Sequence, residues 1–160
     1  MRVYHGSNIA VQSPKVTYSA TCLDFGQGFY LTTVQQQAER WARRKAHLKG
    51  SPQGFVSVFE FTHTSHLRTL NFADDLDAWI DFVCACRDGG EAFRNYDVIM
   101  GKVADDKVFR VVDLYKRGIW DRARAIQEMR VYPSYDQIAL ISQQTIDEQL
   151  TYIQSYEVAL

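Results

Sequence analysis

Two short segments hold the residues best suited to chemistry: Tyr4-His5-Gly6-Ser7, at the end of the first apolar run, and Asp24-Phe25-Gly26-Gln27-Gly28-Phe29-Tyr30-Leu31-Thr32-Thr33. Each sets glycine backbone beside a polar or aromatic side chain. Glycine lets a ligand come close to main-chain donors and acceptors, and an aromatic ring supplies a flat apolar face. The combination suits a flat, amide-bearing ring and therefore predicts a nucleotide site.

The elements that must position these residues follow from periodicity. Arg2 to Tyr4 reads as a short strand, Ser13 to Asp24 as a loop, and Phe29 to Thr32 as a second strand leading into a helix over Val34 to Lys49, where Ala38, Trp41, Ala42 and Ala46 recur at helical spacing and Gly50 closes the run. Phe55 to Phe61 predicts a strong strand, His66 to Phe72 a weaker one, and Asp75 to Arg87 an amphipathic helix with Leu76, Trp79, Ile80, Val83 and Cys84 inward. A strand over Tyr96 to Val103, two helices over Val108 to Lys116 and Asp121 to Met129 broken at Gly118, a strand over Gln137 to Ile141, a helix over Thr145 to Ile153 and a last strand over Tyr156 to Leu160 complete the chain. The strands and helices mix without the regular alternation of a doubly wound sheet, which predicts an α+β fold.

Composition limits the body that carries the site. A chain of 160 residues with 46% hydrophobic and 13% aromatic side chains buries a full core as one domain, residues 1–160. Eighteen Lys plus Arg against 19 Asp plus Glu leave no global field to draw the protein onto nucleic acid or an anionic membrane. The N-terminus lacks the apolar stretch of a signal peptide, and no apolar run approaches the roughly 20 residues of a membrane span, so the chain reads as soluble and cytoplasmic. Cys22, Cys84 and Cys86 make a poor zinc set and read as buried free thiols. No metal is expected.

Several motifs fail on inspection. Asp24-Phe25-Gly26 matches the magnesium-binding tripeptide of kinases, but the chain has neither a catalytic loop nor a Gly-rich phosphate loop. A Walker loop, Gly-x-Gly-x-x-Gly and His-Glu-x-x-His are also absent from the sequence. His63 and His66 read as exposed turn residues. Arg40, Arg43, Arg44, Lys45 and Lys49 read as a solvated helix face, with a phosphate or RNA contact the alternative.

The segments around His5-Gly6-Ser7 and Gly28-Phe29-Tyr30-Leu31-Thr32 resemble the first two signatures of the His-Tyr-Glu class of ADP-ribosyltransferases, to which the poly(ADP-ribose) polymerases belong. The order of Tyr4-His5-Gly6-Ser7, Asp24 to Tyr30, Tyr96-Asp97-Val98-Ile99-Met100-Gly101, Val103-Ala104-Asp105-Asp106 and Asp136-Gln137-Ile138 is similar to the bacterial family known as domain of unknown function 3990, which is regarded as ADP-ribosyltransferase-like. The resemblance implies a split, mainly antiparallel sheet with peripheral helices that clasps NAD in a cleft. It also implies a toxin role beside a small antitoxin-like protein, because members of the family are encoded next to such proteins.

Residue by residue, the resemblance implies that His5 bonds the adenine-side ribose, the Gly6 main chain grips the carboxamide, Ser7 steadies that turn and Tyr30 packs on the nicotinamide ring. Asp24, Gly28 and Thr32 belong to the same cofactor-binding set. Trp41 either stacks on the second face of the ring or anchors its helix in the core. The serine that binds the carboxamide in the polymerases falls here on Ala38, leaving Thr32, Thr33 or Gln37 to substitute. The third signature falls on Gln137, a neutral amide that can orient a ribose hydroxyl but cannot act as a base. Asp105 and Asp106 are then either remaining catalytic acids, Asp106 first, or caps of the following helix. The expectation is a mono-ADP-ribosyltransferase, with an NAD glycohydrolase or a non-catalytic nucleotide-binding module as alternatives, and an acceptor that is protein, nucleic acid or a small molecule.

Overall fold

The computed structural model describes residues 1–103, 106–133 and 135–160, with the side chain of Asp106 also outside the description. Among these residues the chain forms seven strands and five α-helices in a mixed α+β domain. Strands β1 (Arg2–Ser7), β3 (Gly54–Phe61) and β7 (Leu150–Val158) make one antiparallel sheet in the order β1-β3-β7. Strands β2 (Phe29–Leu31), β4 (Thr69–Asn71), β5 (Val98–Lys102) and β6 (Asp136–Leu140) make a second in the order β2-β6-β5-β4, where only β4 and β5 run parallel.

The two sheets meet face to face. Val3, Phe59 and Phe61 of the first pack on Phe29, Leu31, Val98, Ile138 and Leu140 of the second. β3 is apolar at nearly every position because its two faces are both covered. Its outer face holds Val56 and Val58 against Ala38 and Ala42 of α1 (Gln35–Lys49), which ends at Gly50 in the left-handed conformation with φ 62°. On the far face of the second sheet, Ile99, Ala139 and Ile141 pack beneath α2 (Leu76–Arg87), α3 (Asp106–Lys116) and α4 (Arg122–Met129). Asp75 and Asp121 start α2 and α4 by accepting from the amides of Ala78 and Arg124 at 3.0 and 2.8 Å.

Three local readings are corrected. The last helix, α5, covers Gln143–Gln149, and β7 begins directly at Leu150, so the helix predicted to reach Ile153 stops short. Pairing decides this: Thr62 donates its amide to Gln149 at 2.9 Å and Leu150 lies opposite Phe61, which draws the β-branched run into the sheet. On α2 the buried cysteine is Cys86, one turn after Val83, whereas Cys84 is only half-buried. Cys22 is exposed, so of the three thiols expected to be buried, one is.

Candidate functional site

The site forms where the two sheets separate. Met1 donates its amino group to Phe61 O at 2.7 Å and accepts from the Phe61 amide at 2.8 Å, so at that position the main chain faces β3. Tyr4 instead exchanges hydrogen bonds with Thr32, donating at 2.8 Å and accepting at 3.0 Å. Main-chain groups alternate direction along a strand, so those of Gly6 face the same side as those of Tyr4, away from β3 and toward β2. The contact between β1 and β2 is an isolated bridge at Tyr4 and Thr32. Gly6 is buried, its amide and carbonyl point toward the split, and no partner meets them among the described residues. Glycine is required here for packing as well. A Cβ at this position would lie 2.0 Å from Ala38 O and 2.8 Å from Ala42 N, because α1 rests directly on the strand.

His5 points to the opposite face of β1 and packs on Phe29, with ring centroids 4.5 Å apart. Its Nδ1 donates to the main-chain carbonyl of Tyr30 at 2.8 Å, because that oxygen can only accept. Desolvation lowers its pKa to about 4, helped by the nearby cation of Lys45 and opposed by the bond to Tyr30. At neutral pH the ring is uncharged, its proton is fixed on Nδ1, and Nε2 carries a free lone pair. Ser7, two residues on, is buried opposite Phe55.

Tyr30 does more structural work than its sequence suggests. Its hydroxyl donates to Gly26 O at 2.6 Å and accepts from the Phe25 amide at 2.9 Å, closing the loop that precedes its own strand. Burial raises the pKa of the phenol, so it stays protonated. The ring lies roughly parallel to Phe25, with centroids 6.5 Å apart. Gly28 is a close-approach position: a Cβ would stand 2.9 Å from Leu140 O. Asp24 is engaged by Arg87, whose Nε and Nη2 reach its Oδ1 at 2.8 and 2.6 Å, and the same guanidinium lies 4.3 Å above the Phe109 ring. In this structure Asp24 and Arg87 form a half-buried ion pair.

β2 and β6 bring the remaining residues together. Tyr30 lies opposite Ala139, and Gln137, two residues from Ala139, shares its face of the sheet. Gln137 is 6% exposed, and its Nε2 has no hydrogen-bond partner among the described residues. It faces Gly101 across the ladder, where a Cβ would meet Phe25 and Trp79 at 2.9 Å. Asp136 turns away as alternation requires, and accepts from Thr32 Oγ1 at 2.7 Å and from the Thr33 amide at 3.0 Å. Thr32 is fully buried in that contact. Asp105 and the side chain of Asp106 lie outside the described residues.

Trp41 is half-buried and belongs to none of the three apolar clusters that make up the core. It stands on the flank of α1 beside the inward alanines, with Gln37 one turn before it and Lys45 one turn after. Arg40 donates to Gln37 Oε1 at 2.6 Å and places its guanidinium 4.3 Å from the Tyr135 ring, tying this flank to the approach to β6. Sequence reasoning missed Gln37 and Lys45 as a unit with Trp41, although the spacing of four residues was the signal.

Two cavities flank these residues. One of about 440 Å³ is lined by Thr33, Asn71, Met100, Lys102, Asp136 and Gln137. Another, of about 420 Å³, includes Cys22, Asp24, Arg87, Phe109 and Lys116. Neither contains His5, Gly6 or Tyr30, and Gln137 borders the first of them. Among the described residues no group of three His, Cys, Asp or Glu could hold a metal ion, and no helix is long and apolar enough to cross a membrane.

Neither the curated proteins nor the solved structures provide a match to the chain. A family model does match, over residues 1–152, and on that extent the chain belongs to the family described as Protein of unknown function (DUF3990).

Proposed function

We propose that this protein is an NAD-dependent mono-ADP-ribosyltransferase whose cleft is the split between β1 and β2. The observation that carries the reading is the open main-chain edge of Gly6. A primary carboxamide offers one carbonyl and one NH2 group in a plane, and a strand edge with an unpaired amide and carbonyl is its natural complement. The nicotinamide would sit there, with Trp41 available to its second face, and His5 Nε2 would accept from a ribose hydroxyl.

Gln137 would bond the nicotinamide ribose through its unpartnered Nε2. Loss of nicotinamide builds positive charge on that ribose, and an amide can orient the sugar without deprotonating an incoming group. Such a site transfers a single ADP-ribose to an acceptor that is already nucleophilic, and does not elongate chains. The split-sheet likeness to the transferases, the role as toxin and the pairing with a small antitoxin protein come from the resemblance in sequence.

Incubation of the purified protein with NAD labelled in the adenylate separates the readings. Label transferred to macromolecule supports the transferase, free ADP-ribose supports a glycohydrolase, and saturable binding without turnover supports a nucleotide-binding module. Absence of both binding and turnover defeats the proposal.

A further inference from the structure

Among the described residues Lys45 is a cation without a counter-ion, at the place where the split meets α1. Most other basic groups on this helix have partners: Arg40 is bound to Gln37 and Tyr135, and Arg43 to Ala159 O and Glu39. Among the described residues no hydrogen bond or ion pair engages Lys45, and its neighbour one turn on is another cation, Lys49. The residue is exposed by area, yet its protonated form is disfavoured, first by desolvation and then by Lys49. It is also close enough to His5 to oppose protonation of that ring.

Spacing gives Lys45 a defined relation to the rest of the site. Ala38 and Ala42 press on Gly6, so the neighbouring stripe of α1, with Trp41 and Lys45 one turn apart, borders the open edge of β1. The edge thus offers an unpaired main-chain amide and carbonyl, an aromatic plane outside the core, a neutral imidazole acceptor and an ammonium with no counter-ion among the described residues. The first three suit rings and hydroxyls. The ammonium suits an anion lying between them.

We infer that Lys45 forms a diphosphate subsite that binds the bridging phosphates of a dinucleotide laid along the β1 edge between Trp41 and His5. This rests on the reading of the split as an NAD cleft and adds the residue that recognises its anionic middle. Nucleoside diphosphates and ADP-ribose carry the same group, so the subsite selects for them over nicotinamide or adenosine alone. An ammonium acts here as a point charge with three donors, which tolerates the flexible geometry of a diphosphate.

Calorimetric titration of the full chain with NAD, ADP-ribose, ADP, adenosine and nicotinamide, for wild type, Lys45→Met and Lys45→Arg, tests it. Lys45→Met should weaken NAD, ADP-ribose and ADP by roughly tenfold or more, the worth of one charge-assisted contact, and leave nicotinamide and adenosine unchanged. The affinity of wild type for ADP should fall with added salt, that of Lys45→Met should be flatter, and Lys45→Arg should restore most of the loss. Equal affinities of wild type and Lys45→Met for ADP overturn the inference while leaving the NAD reading intact. Binding of ADP that depends on Lys45, with no response to nicotinamide or NAD, supports the subsite and defeats the NAD reading. Absence of binding for every phosphorylated ligand overturns both.

Discussion

His5 Nδ1 donates to the main-chain carbonyl of Tyr30 across 2.8 Å, and this one bond joins the two sequence signatures and fixes the imidazole tautomer. It binds through the backbone of Tyr30 and leaves that residue's ring on the other side of the sheet with Phe25. The two side chains are therefore separable by mutation.

Stability should depend on pH through His5. Its pKa in the folded chain is about 4, below the 6.5 of an unperturbed histidine. Above pH 6.5 both folded and unfolded states are neutral. Between pH 6.5 and 4 the unfolded chain takes up a proton that the folded chain refuses, so stability falls as pH drops through that window, on the order of 3 kcal/mol at most. Thermal melts of wild type and His5→Gln across this range should converge toward low pH. Parallel curves would show that His5 is not the titrating group.

Tyr30→Phe should loosen the loop before β2 while keeping the ring. It removes one bond to Gly26 O and one to the Phe25 amide, and the latter loses its partner, for a cost of about 1 to 3 kcal/mol. Denaturant unfolding measures this, and faster hydrogen exchange at Phe25 would mark the location. Tyr30→Ala disturbs packing as well and so is a poor test of chemistry.

Gln137→Met should leave the free protein equally stable or raise its melting temperature. The side chain is buried with an unsatisfied Nε2, and exchanging a buried unpaired amide for an apolar group of similar length removes a desolvation cost of about 1 kcal/mol or more. The stabilisation that NAD gives to wild type should shrink in the same variant. A large loss of stability in the absence of ligand would place the amide in a structural role instead. Gln137→Glu should bind NAD comparably and favour hydrolysis, since a carboxylate can activate water.

Asp24→Asn should destabilise the fold by about 1 to 2 kcal/mol, because it removes the counter-charge and hydrogen-bond partner of the half-buried Arg87 guanidinium. The double variant Asp24→Asn with Arg87→Met should recover part of that loss. Additive effects in this cycle would mean that the pair is not coupled.

The parts of the fold legible in the sequence are those set by local pattern. The alanines of α1 and Gly50 after it mark a helix and its end without reference to anything distant, and the apolar run of β3 marks a strand covered on two faces. The boundary between α5 and β7 was not legible, because it is decided by Phe61 and Thr62, far away in the chain. The same holds within the site. That Gly6 stands on an edge strand can be guessed from its neighbours, but its open amide depends on the bridge between Tyr4 and Thr32. The partnership of Asp24 with Arg87 spans 63 residues and leaves no periodic trace. The loop contacts of Tyr30 were illegible for a related reason: its hydroxyl partners are main-chain atoms of Gly26 and Phe25, whose direction no residue type reveals.

The bridge at Tyr4 and Thr32 also makes the molecule mechanically uneven. Ladders of many hydrogen bonds hold each sheet, whereas a single pair of main-chain bonds stitches one sheet to the other along this edge. Beyond that stitch, the spacing of β1 and β2 is governed by the bond from His5 to Tyr30 O and by side chains in the apolar interface, which slide more easily than a ladder breaks. The Tyr4 and Thr32 amides therefore act as strain gauges: a molecule inserted past them prises the strands apart or draws them together, and their rates of deuterium uptake report which.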